Sequence, residues 1–180
     1  MNLNEHIEVI TKCESLLPQL EKIADKIITA LKNGGTVYWL GNGGSASDAQ
    51  HMAAELVGRF KKERCALPSL SLSTDTSLLT ALSNDYNFDI IFARQLEAFC
   101  KSNDIVIALS TSGNSENILK GVDMAKSKGA FTIAFTGETG GKLKSKVDEC
   151  FLIPSKVTAR IQEATTLLCH IMCERIDEGF

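Results

Sequence analysis

The stretch Thr36–Leu56, TVYWLGNGGSASDAQHMAAEL, decides the fold. Its opening residues, Val37 to Leu40, are large and apolar without polar alternation, as suits a strand buried on both faces. A glycine-rich turn follows, Gly41-Asn42-Gly43-Gly44-Ser45-Ala46-Ser47-Asp48, and the chain then takes up helical spacing through Leu56. Such a turn presents backbone N–H groups at the positive end of a helix, where an anionic phosphate is best held. His51 and Glu55, four residues apart, share one face of that helix.

The phrase recurs at Asp104–Ala125, DIVIALSTSGNSENILKGVDMA. Its loop, Ser110-Thr111-Ser112-Gly113-Asn114-Ser115, carries four hydroxyls in six residues, more than one N-cap requires. Those donors match the oxygens of a phosphate ester, and a loop without lysine fits a phosphoryl group that is held and not transferred. The first turn lacks the Gly-Lys-Ser/Thr ending of a Walker loop and has Ala46 where a dinucleotide fingerprint needs glycine. Taken alone, it is equally a tight connection whose glycines serve only its dihedrals.

Outward from these two phrases, further strands are predicted at Pro68 to Leu72, Phe131 to Phe135 and Cys150 to Ile153, with Ile105 to Leu109 inside the second phrase. Helices are predicted at Ser47 to Arg59, Ser77 to Ser83, Phe88 to Cys100, Glu116 to Lys128 and Ala159 to Glu178. Before them, Glu5 to Lys32 has helical spacing interrupted by Pro18, which predicts two helices or one kinked helix ended by Asn33-Gly34-Gly35. Alternating strand and helix imply a parallel sheet covered on both faces, with the loops at the carboxyl ends of the strands.

Composition sets bounds. A chain of 180 residues can bury a core as one domain. Its formal net charge of −3 gives no reason to expect nucleic acid. The six cysteines form no C-x-x-C pair, which reads as reduced thiols in a cytoplasmic protein. Cys169 and Cys173 share a helix face but suit core packing better than metal. Neither a signal peptide nor a run of ~20 apolar residues is evident, so no membrane partner is expected.

The last predicted helix begins Arg160-Ile161-Gln162-Glu163 and carries His170 among Leu167, Leu168, Ile171 and Met172. A lone histidine there reads as a core residue. With a second histidine and a carboxylate elsewhere in the chain, it completes a familiar zinc set. Gln162 and His170 lie about 12 Å apart along a helix. Both reach one metal only through extended, converging side chains, or else different subunits contribute them, and either favours an oligomer.

GNGGSASDAQHMAAELVGRF, the LSND at Leu82 to Asp85, STSGNS, TGETGGKL and TARIQE together resemble the phosphoheptose isomerases of the sugar isomerase (SIS) domain superfamily. The resemblance implies an α/β fold: a three-layer α-β-α, flavodoxin-like SIS domain over residues 1–180, with a five-stranded parallel sheet. Residues 1–33 would form an N-terminal helical segment packing in the oligomer, a homotetramer with active sites between subunits. It implies interconversion of sedoheptulose 7-phosphate and D-glycero-D-manno-heptose 7-phosphate, the first step toward the activated heptose of bacterial surface polysaccharide. Substrate contacts then fall on Asn42, Gly43, Gly44, Ser45, Glu55, Asn84, Asp85, Ser110, Thr111, Ser112, Ser115 and Gln162. One zinc per subunit would be held by His51, Glu55, Gln162 and His170. Some members carry Asp where this chain has Ala159, so no role of that aspartate transfers.

An aldose–ketose isomerase moves a proton between C1 and C2 through an enediol, which needs a base near the carbons and a donor near the oxygens. Glu55 is assigned as base and His170 as acid. The competing expectation is a non-catalytic SIS-domain protein, such as a replication-initiation regulator. Those relatives have no carboxylate at the position of Glu55.

Overall fold

The computed structural model describes residues 3–180. Helices α1 (Leu3–Lys12) and α2 (Leu17–Lys32) are joined by a 3-10 turn, Cys13–Leu16, and Pro18 sits in the first turn of α2. There its missing N–H is no loss, since that donor has no partner within a helix. The interruption therefore separates two helices instead of kinking one.

The remaining elements are β1 (Val37–Gly41), α3 (Gly44–Val57), β2 (Ser69–Ser71), α4 (Thr76–Asp85), α5 (Ile91–Phe99), β3 (Ile105–Leu109), α6 (Glu116–Ser127), β4 (Phe131–Gly137), β5 (Glu149–Ile153) and α7 (Thr158–Glu178). All five strands pair in parallel, in the order β2-β1-β3-β4-β5. Neighbouring strands keep strict register, with Val37 opposite Ile105 and Ile105 opposite Phe131.

The unbroken apolar runs are explained by two cores. Val37, Trp39, Ile105, Ile107, Ile133 and Phe151 face one side with residues of α2, α3 and α7. Tyr38, Leu40, Val106 and Ala108 face the other, with residues of α4, α5 and α6. The central strands β1, β3 and β4 thus alternate between two buried faces, the period-two geometry of a pleated strand with no solvent side, while edge strand β2 exposes Leu70. Phe135 and Phe151 stack at 4.6 Å between ring centroids, a pairing worth about 0.5–1.5 kcal/mol beyond the area it buries. Trp39 is fully buried and donates its indole N–H to Ser69 Oγ at 2.9 Å.

Several boundaries differ from expectation, and three of them are informative. Helix α3 begins at Gly44, three residues before Ser47, because Gly43, with φ +57°, turns the chain at once. Phe88–Ile90 forms a separate 3-10 turn ahead of α5, with the Asn87 side chain accepting from the Asp89 N–H. Strand β4 runs on to Gly137, two residues beyond Phe135, and its extension pairs with β5.

The strand order reverses between β1 and β3, whose ends Gly41 and Leu109 are register partners. Helix α3 leaves β1 toward one layer and α6 leaves β3 toward the other. The crevice opened by that divergence is where parallel α/β sheets take ligands. Both loops singled out in the sequence emerge there.

Candidate active site

The first loop is shaped by its glycines. Gly43 has φ +57°, a conformation that costs glycine little. A Cβ on Gly44 would run into the Gln162 side chain. The N–H groups of Ser45, Ala46 and Ser47 turn back to the carbonyls of Asn42 and Gly43. Those of Gly43 and Gly44 take no part in these turn bonds and lie at the start of α3, which has no side-chain cap.

The second loop keeps its hydroxyls for something other than its helix. Ser115 occupies the N-cap of α6 without making a cap hydrogen bond. Its Oγ instead lies 3.4 Å from Ser110 Oγ. Beneath the loop, a Cβ on Gly113, at φ +65°, would clash with the Gly140 carbonyl. The Gly113 carbonyl accepts from the Leu143 N–H at 3.0 Å, and Asn114 Oδ1 accepts from the Lys142 N–H at 3.1 Å. The TGETGGKL segment is thus a backing for the serine loop. A cavity of about 260 Å³ opens beside Thr111 and Ser112, walled also by Glu138, Thr139, Ser155 and Lys156.

The first loop is fastened to the first turn of α6, the helix that the second loop opens. Asn42 and Asn117 exchange both amide hydrogen bonds, at 2.9 and 2.8 Å, and Asn117 Oδ1 also accepts from the Ile118 N–H. The Asn42 side chain is therefore committed to the scaffold, which leaves its backbone as the part that can face a ligand. Asn117, buried and without a charge or motif to mark it, carries no signal in the sequence.

Helices α3 and α7 run side by side in the same direction. Gln162 lies against Gly44, Thr166 Oγ1 donates to Asp48 Oδ1 at 3.0 Å, and the His170 ring meets the His51 ring edge to face at 4.9 Å. Each step advances both helices by about one turn. This parallel seam brings His51, Glu55 and His170 together, with one ligand atom from each within 4.8 Å of the others. His51 Nε2 is 3.0 Å from Glu55 Oε1, and Phe60 stacks on His170 at 5.5 Å.

Asp48 lies one turn before His51, toward the same two imidazoles. Burial raises its carboxyl above the ordinary value, against the Thr166 hydrogen bond and the two histidines, which lower it. Its spacing to His51 and Glu55, three and seven residues, puts all three on one helix face. That spacing was the available signal for a residue the sequence reading passed over.

Comparison with known proteins places the sequence and the fold in one family. The SIS domain family matches residues 3–137. A phosphoheptose isomerase of Aquifex aeolicus is 55% identical over 89% of this chain and 84% of its own length. The chain belongs to the phosphoheptose isomerase family of SIS-domain proteins. The solved phosphoheptose isomerase of Neisseria gonorrhoeae is 39% identical and superposes with a TM-score of 0.91 over 98% of this chain and 95% of that one. That of Francisella tularensis is 36% identical, with a TM-score of 0.93 over 98% and 94%.

As in any phosphoheptose isomerase, the donors must suit the chemistry. Two imidazole nitrogens and a carboxylate oxygen converging in this way fit a divalent metal such as zinc, with room for a further ligand. Gln162 lies two turns earlier on α7, beside the first loop. Asn84 and Asp85 end α4, at the far end from its Asp75 cap, about 15 Å along its axis. Helix α4 packs on the opposite layer from α3 and α7, and Asn84 Nδ2 bonds Asp85 Oδ1. Cys169 and Cys173 are buried in the core, and burial pushes the Cys173 thiol up to about 12. No described helix is long and apolar enough to cross a membrane.

Proposed function

We propose that this chain is an aldose–ketose isomerase acting on a seven-carbon sugar phosphate, interconverting sedoheptulose 7-phosphate and D-glycero-D-manno-heptose 7-phosphate. The observation that carries the reading is the convergence within 4.8 Å of His51 and Glu55, on the helix opened by the first glycine loop, with His170 of α7. Kinship with phosphoheptose isomerases at 55% identity supports the substrate.

In this reading Ser110, Thr111, Ser112 and Ser115 hold the phosphate, and the backbone of Asn42, Gly43, Gly44 and Ser45 takes sugar oxygens. Anchoring the phosphate away from the reacting end removes part of the entropic barrier. Toward the aldose, Glu55 takes a proton from C1 and returns it to C2, while His170 protonates the C2 carbonyl oxygen and then takes the proton from the C1 hydroxyl as the new carbonyl forms. His51, Glu55 and His170, with Gln162 as fourth donor, would hold zinc, which supplies order to the site and polarisation of the carbonyl. A carboxylate bound to metal is a weaker base, so the two duties of Glu55 oppose each other.

The same reading makes the protein a cytoplasmic homotetramer whose sites lie between subunits. Asn84 and Asp85, on the other layer of this chain, are then offered to a neighbouring subunit's substrate. Leu3 and Ile7, exposed on α1 at 69% and 52%, support packing of residues 1–33 in that oligomer within a single SIS domain spanning 1–180. The free cysteines suit a reducing compartment.

The test is incubation of metal-replete protein with sedoheptulose 7-phosphate, with and without a chelator. Formation of the aldose phosphate, reduced by chelation, is expected. No conversion by correctly assembled, metal-replete protein would defeat the reading.

A further inference from the structure

The loop from Gly58 to Ala66, which leaves α3 for β2, is closed by a buried ion pair. Arg64 Nε donates to Asp177 Oδ1 at 2.7 Å, with side-chain exposures of only 2% and 5%. Asp177 Oδ2 accepts the backbone N–H groups of Lys61 and Lys62 at 2.8 and 2.9 Å. Arg64 sends its other donors to the carbonyls of Leu56, Cys65 and Glu55. One guanidinium thus grips the last turn of α3, and its partner carboxylate belongs to the last turn of α7.

Those two helices carry the site. The Glu55 carbonyl gripped by Arg64 belongs to the residue whose carboxylate faces His51. The stretch held by Asp177 begins just after Phe60, whose ring lies on His170. Burying two opposite charges gains little net stability over apolar packing, so a pair that spans both donor helices invites a role in geometry.

We propose that the Arg64–Asp177 pair is the positioning device of the site: it fixes how far Glu55 stands from His170 and seats Phe60 against the imidazole. This rests on the reading of His51, Glu55 and His170 as a metal-binding, catalytic cluster. Neither Arg64 nor Asp177 is among the residues assigned here to substrate or metal, so both act through Glu55 and Phe60. Partners at this remove typically alter metal affinity or activity by about 10–100-fold when changed.

Two variants test it: Arg64→Lys, which keeps the charge and loses the fork, and Asp177→Asn, which keeps the shape and loses the charge. Zinc affinity is measured by competition with a chromophoric chelator, the ligand field by the visible spectrum of added cobalt(II), and kcat and KM well below the melting temperature. The expected result is zinc affinity weakened about tenfold or more in both, with an altered cobalt spectrum. Turnover should fall while KM stays within about twofold, because the serine loop does not touch the pair. Folded variants with zinc affinity and kcat within about twofold of the parent overturn the proposal, whatever their melting temperature. If neither variant folds, the pair is a requirement of the fold and the proposal fails. A parent that binds zinc but isomerises nothing sinks the proposed function alone, since the zinc series still judges the clamp. A parent that isomerises without binding zinc leaves the kcat series to decide by the same criterion, and one that does neither ends both.

Discussion

The imidazoles of His51 and His170 meet edge to face at 4.9 Å, one from the helix after the first strand and the other from the last helix. In the proposed function, their meeting, with Glu55 beside them, supplies the acid and the base beside the crevice between the two loops. Its chemistry is testable one residue at a time.

Glu55→Gln removes the proposed base while keeping its shape. Turnover of sedoheptulose 7-phosphate should fall by about 10²–10⁴-fold, the range that a positioned acid or base contributes. Inorganic phosphate, titrated calorimetrically, should bind as it does to the parent. Activity near the parental level would remove Glu55 from the mechanism.

Ser115→Ala separates ligand binding from helix capping. Because the Ser115 side chain makes no cap hydrogen bond in α6, melting temperature should change little. Loss of a hydrogen bond to a charged group, about 1.5–3 kcal/mol, should raise KM by roughly tenfold or more. A variant that loses stability and keeps its KM would return Ser115 to a purely structural role.

Gly113→Ala tests the backing of the serine loop. The new methyl meets the Gly140 carbonyl at a positive φ, so a destabilisation of roughly 1–3 kcal/mol is expected. Chemical denaturation measures it, and weaker phosphate binding should accompany it.

Asp48→Asn should stabilise the metal-free protein at neutral pH. Burial raises the Asp48 carboxyl above its usual 3.8 in the folded state, so the native state holds that proton more tightly than the unfolded one. The resulting stability is complete below 3.8 and is lost as pH rises through the higher folded value. At pH 7 the parent therefore carries the whole cost of a buried charge, and the variant does not. Melting temperatures with chelator present, followed from pH 7 downward, should show the variant's advantage shrinking toward the acid end. An advantage that is absent at neutral pH would contradict the assignment.

Much of this was legible in local sequence. The strands Val37–Gly41 and Ile105–Leu109 announced themselves as unbroken apolar runs, because both faces of the sheet are covered. The serine loop was legible because its hydroxyls exceed the needs of a cap. Spacing alone put His51 and Glu55 on one face. What spacing could not supply was the parallel seam of α3 and α7, since contacts between helices far apart in the chain leave no periodic trace in either one. For the same reason nothing in the polar stretch KKERC marks Arg64, and nothing in the last turn of α7 marks Asp177, as partners. Asn117 stayed hidden because its partner, Asn42, had been read only as a ligand contact.

The reciprocal pair of Asn42 and Asn117 has a consequence for selectivity. Primary amides neither gain nor lose charge across the working pH range, so the brace between the glycine loop and the helix that the serine loop opens is indifferent to protonation beside it. Under the proposed assignment of phosphate to the serine loop and sugar to the glycine loop, the spacing between the two ends of a substrate is then set by groups that do not titrate with the acid and the base.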